Sequence, residues 1–349
     1  MALVPKKVCL AFFILFIIYF LSTLASIKSN FYEYLYPIQC YRENVPSLQD
    51  ITEISPPKDN SIFFHETSCN SYYNGKITIT SRQACAVESA AKMNPQKMVY
   101  LLYASPGVLK NEMTESDRML EALLGYPNVR IQHLNYEKYT KGTPLEHLYQ
   151  DGAIEASVYA QSHASDVLRY LTLWKYGGIY LDLDVIVTKS FNSLPQNFAG
   201  SESEANVAAG VLGFSHNGIG HALAKMCVTE LKNNFNGREW GYNGPGVITR
   251  VARNICGVTK AKDMVKKDCQ GFHVFPTETF YAIPWWNWTT YFNENDLEEV
   301  NSLSKKSYFI HVWNKHSAST KLPLDSQAPY AVYARKYCPN VYKECDNHF

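Results

Sequence analysis

The chain has 349 residues and a formal net charge of +1. This near-neutral balance argues against a nucleic-acid-binding protein, and the length allows a membrane anchor followed by one large domain or two fused domains. Aromatic residues make up 14% of the chain, which suits carbohydrate stacking, although ordinary packing explains most of them.

The N-terminal segment predicts a membrane anchor. Residues 1–7 form a short tail with Lys6 and Lys7, and residues 8–27 are nearly all apolar. An apolar run of this length can span a bilayer, and the basic flank places the tail in the cytosol. A cleaved signal peptide is the alternative, but no sharp small-x-small cleavage site stands out. We therefore expect one transmembrane signal anchor, with the rest of the chain in a lumen.

Residues 28–60 are predicted to form a stem, because they lack a clean periodicity and contain four prolines. Cys40 lies in this segment and can pair with the folded domain or with a second chain, which leaves a homodimer open. Cys9 lies in the apolar run, and the remaining eight of the nine cysteines suit an oxidising lumen with several disulfides. The candidates for these disulfides are Cys69, Cys85, Cys256, Cys269, Cys338 and Cys345, and Cys256 and Cys269 can close a local loop.

The first half of the folded region, residues 61–195, alternates strands with helices. Strands are predicted at 62–64, 98–103 and 129–134. One helix is predicted from a cap at Ser81 to about Met93, and a second from a cap at Thr114 to Gly125. Such alternation predicts an α/β fold with a Rossmann-type, mainly parallel sheet, in which ligands bind beyond the carboxyl ends of the strands. No GxGxxG motif or P-loop follows the first strand, so the usual dinucleotide and NTP fingerprints are absent.

Residues 165–189 carry the clearest functional signal. Ser165 is predicted to cap a helix with Asp166 in its first turn, and Gly177 and Gly178 are predicted to stop that helix. The β-branched and apolar run 179–187 then predicts a single buried strand.

Two carboxylates, Asp182 and Asp184, interrupt this predicted strand. Residues two apart on a strand point to the same face, and two buried carboxylates repel each other unless a cation lies between them. A hard divalent cation is the natural partner for such oxygen ligands. The alternative is a strand end that reaches water, with both aspartates solvated.

The second half, residues 196–349, is less regular. A strand is predicted at 207–214 and a helix at 221–231, and the glycine-rich loop 236–246 leads into a helix whose N-terminus can hold an anion or a sugar hydroxyl, or is simply capped. The aromatic segment 280–292 is either an acceptor platform or a surface segment packed on the core. It contains an N-glycosylation sequon at Asn287, which is usable in a lumenal domain.

His311 ends a predicted strand at 308–312, and Lys315 follows it closely. A lone histidine is often structural, but the paired aspartates still lack a nitrogen ligand, and His311 is the candidate for it. Lys315 can reach diphosphate oxygens or can simply be solvated.

Ordered sequence blocks then carry a resemblance over roughly residues 62–339. The blocks are I-F-F-x-E-T-S, A-V-E-S-A-A, T-P-L, S-D-x-x-R, W-K-Y-G-G-I-Y-L-D-x-D, N-G-x-x-W-G-x-x-G-P, T-x-x-F-Y-x-I-P-W-x-x-W, V-W-N-K-x-S and A-R-x-Y-C-P. In this order they resemble the α1,4-glycosyltransferase family of DXD enzymes with a GT-A fold. Leu183, between the aspartates, departs from the Thr of the family's galactosyltransferases.

The resemblance implies a type II Golgi membrane enzyme that transfers galactose or N-acetylgalactosamine from a UDP-sugar, with retention and in α1,4 linkage. The implied acceptor is a glycolipid or glycan that ends in galactose or N-acetylgalactosamine, such as lactosylceramide. Residues 61–195 would then bind the nucleotide-sugar, and residues 196–349 would form the acceptor side.

The resemblance also assigns roles to residues. Asp182, Asp184 and His311 would hold Mn²⁺, or Mg²⁺, and the two aspartates would be catalytic through that ion. The implied donor-binding residues are Glu66, Thr67, Asp166, Arg169, Tyr180 and Lys315. The implied donor-sugar or acceptor pocket contains Trp240, Asn243, Gly244, Pro245 and Trp285. For Asp166 and Arg169, the alternative is a local ion pair with a helix cap.

Two other functions remain open. One is a different DXD transferase, such as an α1,4-N-acetylglucosaminyltransferase that acts on glycoproteins. The other is a membrane-anchored sugar-binding protein without catalysis, against which the intact DxD, SDxxR and HVWNK sequences argue. A glycosidase is disfavoured, because its two carboxylates must flank a bond from opposite sides.

Overall fold

The structure is a computed structural model that describes residues 38–349. The predicted cytosolic tail, the predicted anchor at 8–27 and the first part of the predicted stem lie outside the described residues. Among residues 38–349, no helix has both the length and the apolar character needed to cross a membrane.

The described chain folds around a mixed, mainly parallel sheet. Its strands are β1 Ser61–Glu66, β2 Met98–Tyr103, β3 Val129–His133, β4 Gly178–Leu181, β5 Val185–Val187, β6 Phe198–Ser201, β7 Val207–Phe214, β8 His273–Phe275 and β9 Phe309–His311. Seven strands form one sheet in the order β3-β2-β1-β4-β7-β6-β8, and β5 pairs with β9 in a second, two-stranded sheet. The strands β1, β2, β3 and β4 are parallel to one another, whereas β7 runs antiparallel to both β4 and β6. The predicted mainly parallel α/β sheet is therefore confirmed.

Helices cover both faces of the sheet. They are α1 Asn70–Tyr73, α2 Ser81–Met93, α3 Glu115–Leu124, α4 Tyr136–Thr140, α5 Glu146–Gln150, α6 Ala160–Tyr176, α7 Gly218–Asn234, α8 Pro245–Cys256, α9 Ala261–Met264, α10 Thr277–Phe280, α11 Leu297–Leu303, α12 Asn314–Ser317, α13 Pro329–Tyr337 and α14 Pro339–Lys343. Short 3₁₀ segments lie at Gln39–Arg42, Ile51–Glu53, Phe191–Ser193, Trp285–Phe292, Glu294–Asp296 and Ser304–Lys306.

Alternate residues of β1 feed two hydrophobic cores, because successive side chains of a strand point to opposite faces. Ile62 and Phe64 pack with α2, α3 and the C-terminal helices. Phe63 packs on the other side with α6, α7 and α8. The predicted boundary at residues 195/196 falls inside this architecture, since β4 pairs with β7 across it.

The helices α2 and α3 both begin with a capping box. Thr114 caps α3 as predicted, and its side chain forms a capping box with Asp117. For α2 the capping residue is Thr80, which forms a capping box with Gln83, and the predicted cap Ser81 is the first helical residue.

Residues 38–60, which were expected to belong to the stem, instead pack on the domain. Ile38, Cys40, Tyr41 and Ile51 are buried, and the Tyr41 hydroxyl donates a hydrogen bond of 2.6 Å to the Thr67 carbonyl. The four prolines obscure periodicity in the sequence, but these side chains fill grooves formed by distant parts of the chain. The folded region therefore begins before Ser61.

The predicted single strand over 179–187 is also corrected. β4 ends at Leu181, residues 182–184 form a turn, and β5 starts at Val185 in the second sheet. The run looks continuous in sequence because both pieces are β-branched and buried, but their pairing partners, β7 and β9, lie in different sheets.

The helix predicted to start at Ser165 begins earlier. α6 starts at Ala160, and the preceding Tyr159 makes no capping hydrogen bond through its side chain. Buried Ala160 and Ala164 extend the apolar face toward the N-terminus, so Asp166 lies in the second turn and is itself buried. The predicted end is confirmed, because Gly177 follows α6 with a positive φ of 65°.

Three disulfides join cysteines of the described residues, namely Cys40–Cys69, Cys85–Cys338 and Cys256–Cys269. Cys40 therefore pairs within its own chain rather than with a second copy. The expectation for Cys345 is not met among the described residues, where Cys345 is buried and forms no disulfide. Its thiol lies 3.6 Å from the Val341 carbonyl.

The Cys85–Cys338 disulfide closes a loop of 253 residues, whereas Cys256–Cys269 closes one of 13. Because loop-closure entropy grows with loop length, replacing the first pair by Ser should lower the free energy of unfolding by about 5 kcal/mol, and replacing the second pair by about 3 kcal/mol. Urea unfolding under non-reducing conditions measures both losses. A larger loss from the short loop would contradict the expected order.

Candidate active site

Asp182, Asp184 and His311 meet at one point. The two aspartates flank the turn between β4 and β5, and His311 ends β9, where the antiparallel ladder places it opposite Val185. One ligand atom from each of the three residues lies within 4.8 Å of the others. Nε2 of His311 lies 3.2 Å from Oδ1 of Asp184 and 3.7 Å from Oδ2 of Asp182. Two carboxylates and an imidazole suit a divalent cation such as Mn²⁺ or Mg²⁺.

Neighbouring groups fix both carboxylates in place. The Tyr180 hydroxyl donates a hydrogen bond of 2.7 Å to Oδ1 of Asp182, and the backbone amide of Asn314 donates one of 2.8 Å to Oδ2 of Asp184. Trp313 adopts a left-handed backbone conformation with φ 56°, which turns the chain at this point. Burial raises the pKa of Asp184 although His311 opposes it, whereas Arg169 and His311 overcome burial and lower the pKa of Asp182 to about 2. The two carboxylates together raise the pKa of His311 against the effect of burial.

Arg169 connects the cluster of Asp182, Asp184 and His311 to α6. Its guanidinium lies 3.3 Å from Oδ1 of Asp182 and 3.1 Å from Oδ1 of Asp166, and it also donates to the Ala209 carbonyl over 2.8 Å. The pKa of Asp166 rises to about 7 because of burial, which the charge of Arg169 only partly offsets. The alternative of a purely local ion pair therefore does not describe Arg169, since it bridges two carboxylates of one cavity.

These residues line a cavity of about 440 Å³. Of the residues predicted from sequence, the cavity wall contains Glu66, Thr67, Asp166, Arg169, Tyr180, Asp182, Asp184, Trp240, Pro245, His311 and Lys315. Leu183 also lines the cavity while it packs against the core. The structure thus brings all six predicted donor-binding residues together in one cavity wall.

Three predicted pocket residues lie outside the wall. Asn243 is fully buried. Its side chain accepts a hydrogen bond from the backbone amide of Asn236 and donates one to the backbone carbonyl of Asn236, and these two bonds close the loop before α8. Gly244 lies directly against Asp166, where any Cβ would overlap the carboxylate. Trp285 is 46% exposed, and its ring stacks on His316 with centroids 5.4 Å apart.

Glu66 and Lys315 mark two other parts of the wall. Burial raises the pKa of Glu66 to about 7, and its Oε2 has no hydrogen-bond partner among the described residues. Nζ of Lys315 lies 3.4 Å from the centroid of the Trp240 ring, and burial lowers the pKa of Lys315. A cation–π interaction favours this position of the Lys315 ammonium over the Trp240 ring, although the Lys315 side chain is exposed to solvent.

The sequence reasoning missed Glu202, Gly210 and Tyr281, which also line the cavity. Glu202 follows β6 in a polar loop without a motif, and burial raises its pKa to about 7 although His311 opposes this. Tyr281 belongs to the block T-x-x-F-Y, which contributed to the family resemblance but did not assign a role to Tyr281. Its pKa rises through burial and through the charges of Asp182 and Glu202, while the Val211 amide lowers it.

Gly210→Ala should weaken metal binding. A Cβ at this position would lie 2.9 Å from Oδ2 of Asp182 and 3.2 Å from Nε2 of His311, so these two groups must move apart. We expect the affinity for Mn²⁺ to fall by about 10- to 100-fold, as for other changes beside a metal site. Isothermal titration measures this affinity. Gly241→Ala is the matched control, because its Cβ meets only Pro245 at 3.7 Å.

Glu66→Gln should change the pH dependence of stability. The pKa of Glu66 is about 7 in the folded protein and has an ordinary value of 4.5. The folded state binds this proton more tightly, so the wild-type protein loses stability as the pH rises from 4.5 to about 7 and then no further. At pH 8 the variant should therefore be the more stable by about 3 kcal/mol, and near pH 4 the two should be alike.

Thermal unfolding of the metal-free protein across this pH range tests the expectation for Glu66. The exposed Glu137 supplies the control variant Glu137→Gln. A parallel pH dependence of the wild-type protein and Glu66→Gln would show that Glu66 is not the group responsible.

Two family profiles match the chain. Residues 80–199 match the glycosyltransferase sugar-binding region containing the DXD motif, and residues 216–345 match the alpha 1,4-glycosyltransferase conserved region. The second match includes His311 and the loop before α8, and the first includes both aspartates.

Curated relatives match most of the chain. Lactosylceramide 4-alpha-galactosyltransferase of Rattus norvegicus is 34% identical over 81% of this chain and 75% of its own length. The protein of the same name from Homo sapiens is 32% identical over 82% of this chain and 78% of its own. Alpha-1,4-N-acetylglucosaminyltransferase of Homo sapiens is 27% identical over 75% of both chains.

Among solved structures, the galactosyltransferase LgtC in complex with donor and acceptor sugar analogues aligns with a TM-score of 0.40 at 13% identity, over 81% of this chain and 95% of that chain. The bifunctional glycosyltransferase WbbM aligns with a TM-score of 0.46 at 11% identity, over 85% of this chain and 53% of that chain. The relatives at 32–34% identity and the two profiles establish that the chain belongs to the α1,4-glycosyltransferase family.

Proposed function

We propose that this chain is a retaining hexosyltransferase with a GT-A-type nucleotide-sugar fold. It transfers galactose, or N-acetylgalactosamine, from a UDP-sugar in α1,4 linkage to a glycolipid that ends in galactose or N-acetylgalactosamine, such as lactosylceramide. The observation that carries the proposal is the convergence of Asp182, Asp184 and His311 in a cavity that also contains two fixed cations, Arg169 and Lys315. The relatives named lactosylceramide 4-alpha-galactosyltransferase support the choice of donor and acceptor.

The chemistry of the donor set fits Mn²⁺, with Mg²⁺ as the alternative, because two carboxylates and an imidazole nitrogen face one point. When bound, the ion would supply Lewis-acid stabilisation of the charge that grows on the diphosphate leaving group. Asp182, Asp184 and His311 would hold it. The hydrogen bonds from Tyr180 and from the Asn314 amide keep the two carboxylates aimed inward.

The remaining wall residues bind and orient the donor. Lys315 is held over Trp240 at the cavity wall, where its ammonium can donate to phosphate oxygens. Asp166, which is fixed by Arg169, lies where a sugar or ribose hydroxyl can donate to it. The unpartnered Oε2 of Glu66 and the neighbouring Thr67 offer a polar site for uridine at the end of β1.

Two observations bear on compartment and topology. Three disulfides are typical of an oxidising environment, and Asn287 of the sequon is exposed at the surface. Both support a lumenal catalytic domain of a single-pass type II Golgi protein, with the anchor at residues 8–27 and a glycan on Asn287. Residues 61–195 then supply most of the donor side, and residues 196–349 supply the acceptor side together with His311 and Lys315.

An α1,4-N-acetylglucosaminyltransferase is the second candidate, because a human enzyme of that name is 27% identical to this chain. UDP-galactose and UDP-N-acetylglucosamine differ in the orientation of the hydroxyl on C4 and in the substituent on C2 of the hexose. A direct comparison of donors therefore separates the candidates.

The test is a transfer assay with the full-length chain, produced in eukaryotic cells and solubilised in mild detergent. UDP release is measured with UDP-galactose, UDP-N-acetylgalactosamine and UDP-N-acetylglucosamine, on lactosylceramide and on N-acetylgalactosamine-ended acceptors. We expect turnover that requires Mn²⁺, prefers UDP-galactose and is abolished by a chelator. Asp184→Asn should lower kcat/KM by about 10³-fold or more, because a metal ligand is lost.

The exposed Asp263 provides the matched control, and Asp263→Asn should leave turnover unchanged. A preference for UDP-N-acetylglucosamine would replace the first candidate by the second. If a folded wild-type chain bound glycans but released no UDP from any donor, a sugar-binding protein without catalysis would be the correct description.

A further inference from the structure

Tyr281 carries a buried hydroxyl whose O–H group finds no acceptor among residues 38–349. The residue is 2% exposed and lines the cavity. The Val211 backbone amide approaches the hydroxyl oxygen as a donor, but the hydroxyl donates a hydrogen bond to none of the described residues. A buried polar group without a partner is unfavourable, so such groups in native proteins usually bind something that is not part of the chain. The ring itself is fixed, because it packs against Phe309, His311 and Trp313.

The Tyr281 hydroxyl lies close to the side chains of Asp182 and His311. An atom placed at the Cβ position of Gly210 would lie 3.0 Å from the Tyr281 hydroxyl, 2.9 Å from Oδ2 of Asp182 and 3.2 Å from Nε2 of His311. The three polar atoms therefore surround one small region, and the missing side chain of Gly210 keeps that region open. Whatever binds Tyr281 lies beside the metal centre.

Glu202 completes this part of the wall. Its carboxylate lines the same cavity, interacts electrostatically with both Tyr281 and His311, and makes no hydrogen bond or ion pair within residues 38–349. A protonated phenol donates a hydrogen bond, and a carboxylate accepts one. A negatively charged group such as phosphate fits poorly beside Glu202, whereas a hydroxyl group can accept from the phenol and donate to the carboxylate.

We propose that Tyr281 and Glu202 together bind one hydroxyl group of a sugar ring beside the metal centre. This subsite lies on the wall formed by the loop after β6 and the residue after α10, apart from the α6 wall that holds Asp166 and Arg169. It rests on the proposed glycosyltransferase function. The hydroxyl belongs either to the hexose of the donor or to the terminal hexose of the acceptor, and both sources present the same chemistry.

The test uses Tyr281→Phe and Glu202→Gln in the full-length chain. Each change removes one hydrogen-bonding group and keeps the shape of the side chain. We expect kcat/KM to fall by about 10- to 100-fold in each variant, while the affinities for UDP and for Mn²⁺ stay within about twofold of the wild type. A loss of affinity for UDP or Mn²⁺ would instead assign Tyr281 to the metal centre and overturn the sugar subsite. Unchanged kcat/KM in both variants would show that the Tyr281 hydroxyl contacts only water, and this result would also overturn the sugar subsite.

Matched controls exist for both variants. Tyr136 is also fully buried, and its hydroxyl has no hydrogen-bond partner in residues 38–349, but it lies away from the cavity. Tyr136→Phe should therefore leave kcat/KM within about twofold. Glu204, two residues after Glu202, pairs with Lys262 at the surface, and Glu204→Gln should behave in the same way. Thermal unfolding of all four variants checks that each is folded.

Deoxy-sugar substrates distinguish the two sources. If the subsite binds the donor, a deoxy UDP-sugar will lower wild-type kcat/KM as much as Tyr281→Phe does, and combining the two will cause little further loss. If the subsite binds the acceptor, a deoxy acceptor will show this non-additivity instead. Additive losses for every deoxy substrate of both kinds would refute recognition of a hydroxyl.

A binding measurement separates this inference from the proposed function. Isothermal titration compares UDP-sugar with UDP, and measures the acceptor glycan in the presence of Mn²⁺ and UDP, without any need for turnover. A wild-type chain that transfers sugar while the variants bind and react as well as it does would refute only the subsite. A wild-type chain that neither transfers nor binds any sugar would refute both.

Discussion

The buried guanidinium of Arg169 is the interaction on which the cavity depends. Burying several carboxylates around one space is unfavourable, because each loses hydration and repels the others. Arg169 lies between Asp166 on α6 and Asp182 at the end of β4, and it also reaches the β7 carbonyl of Ala209. One side chain thus offsets two buried charges and joins a helix to two strands of the central sheet.

The charge that remains explains the rest of the site. Asp184, Glu66 and Glu202 also line the cavity, together with Lys315 and His311. His65 lines it as well, but burial lowers the pKa of His65 to about 3, so this histidine adds no charge. The excess of acidic groups favours a cation near the aspartates. Among the described residues, Oε2 of Glu66 and the carboxylate of Glu202 have no hydrogen-bond or ion-pair partner, and burial raises the pKa of both groups to about 7. An unpaired acid in a polar cavity is ready to meet a neutral hydroxyl or amide of a ligand.

The sequence predicted those features that depend on neighbours along the chain. The strand Met98–Tyr103, the cap at Thr114 and the stop after Tyr176 follow from local patterns, and the ordered motifs identified the family. The turn at residues 182–184 was missed because it exists only through the separate pairing of β5 with β9, which are more than 100 residues apart in the chain. Glu202 and Tyr281 were missed for a similar reason, since no local pattern shows that both line the cavity that contains His311.

The Cys40–Cys69 disulfide and the hydrogen bond from Tyr41 to Thr67 fix the start of the described chain beside the end of β1, where Glu66 and Thr67 border the cavity. With the anchor that we propose at residues 8–27, only ten residues, 28–37, separate it from this point. Fully extended, ten residues reach about 35 Å. The short tether would keep the cavity close to the bilayer surface, so headgroups of lipids in the same membrane would be within reach at a high local concentration, whereas glycans far from that surface would not.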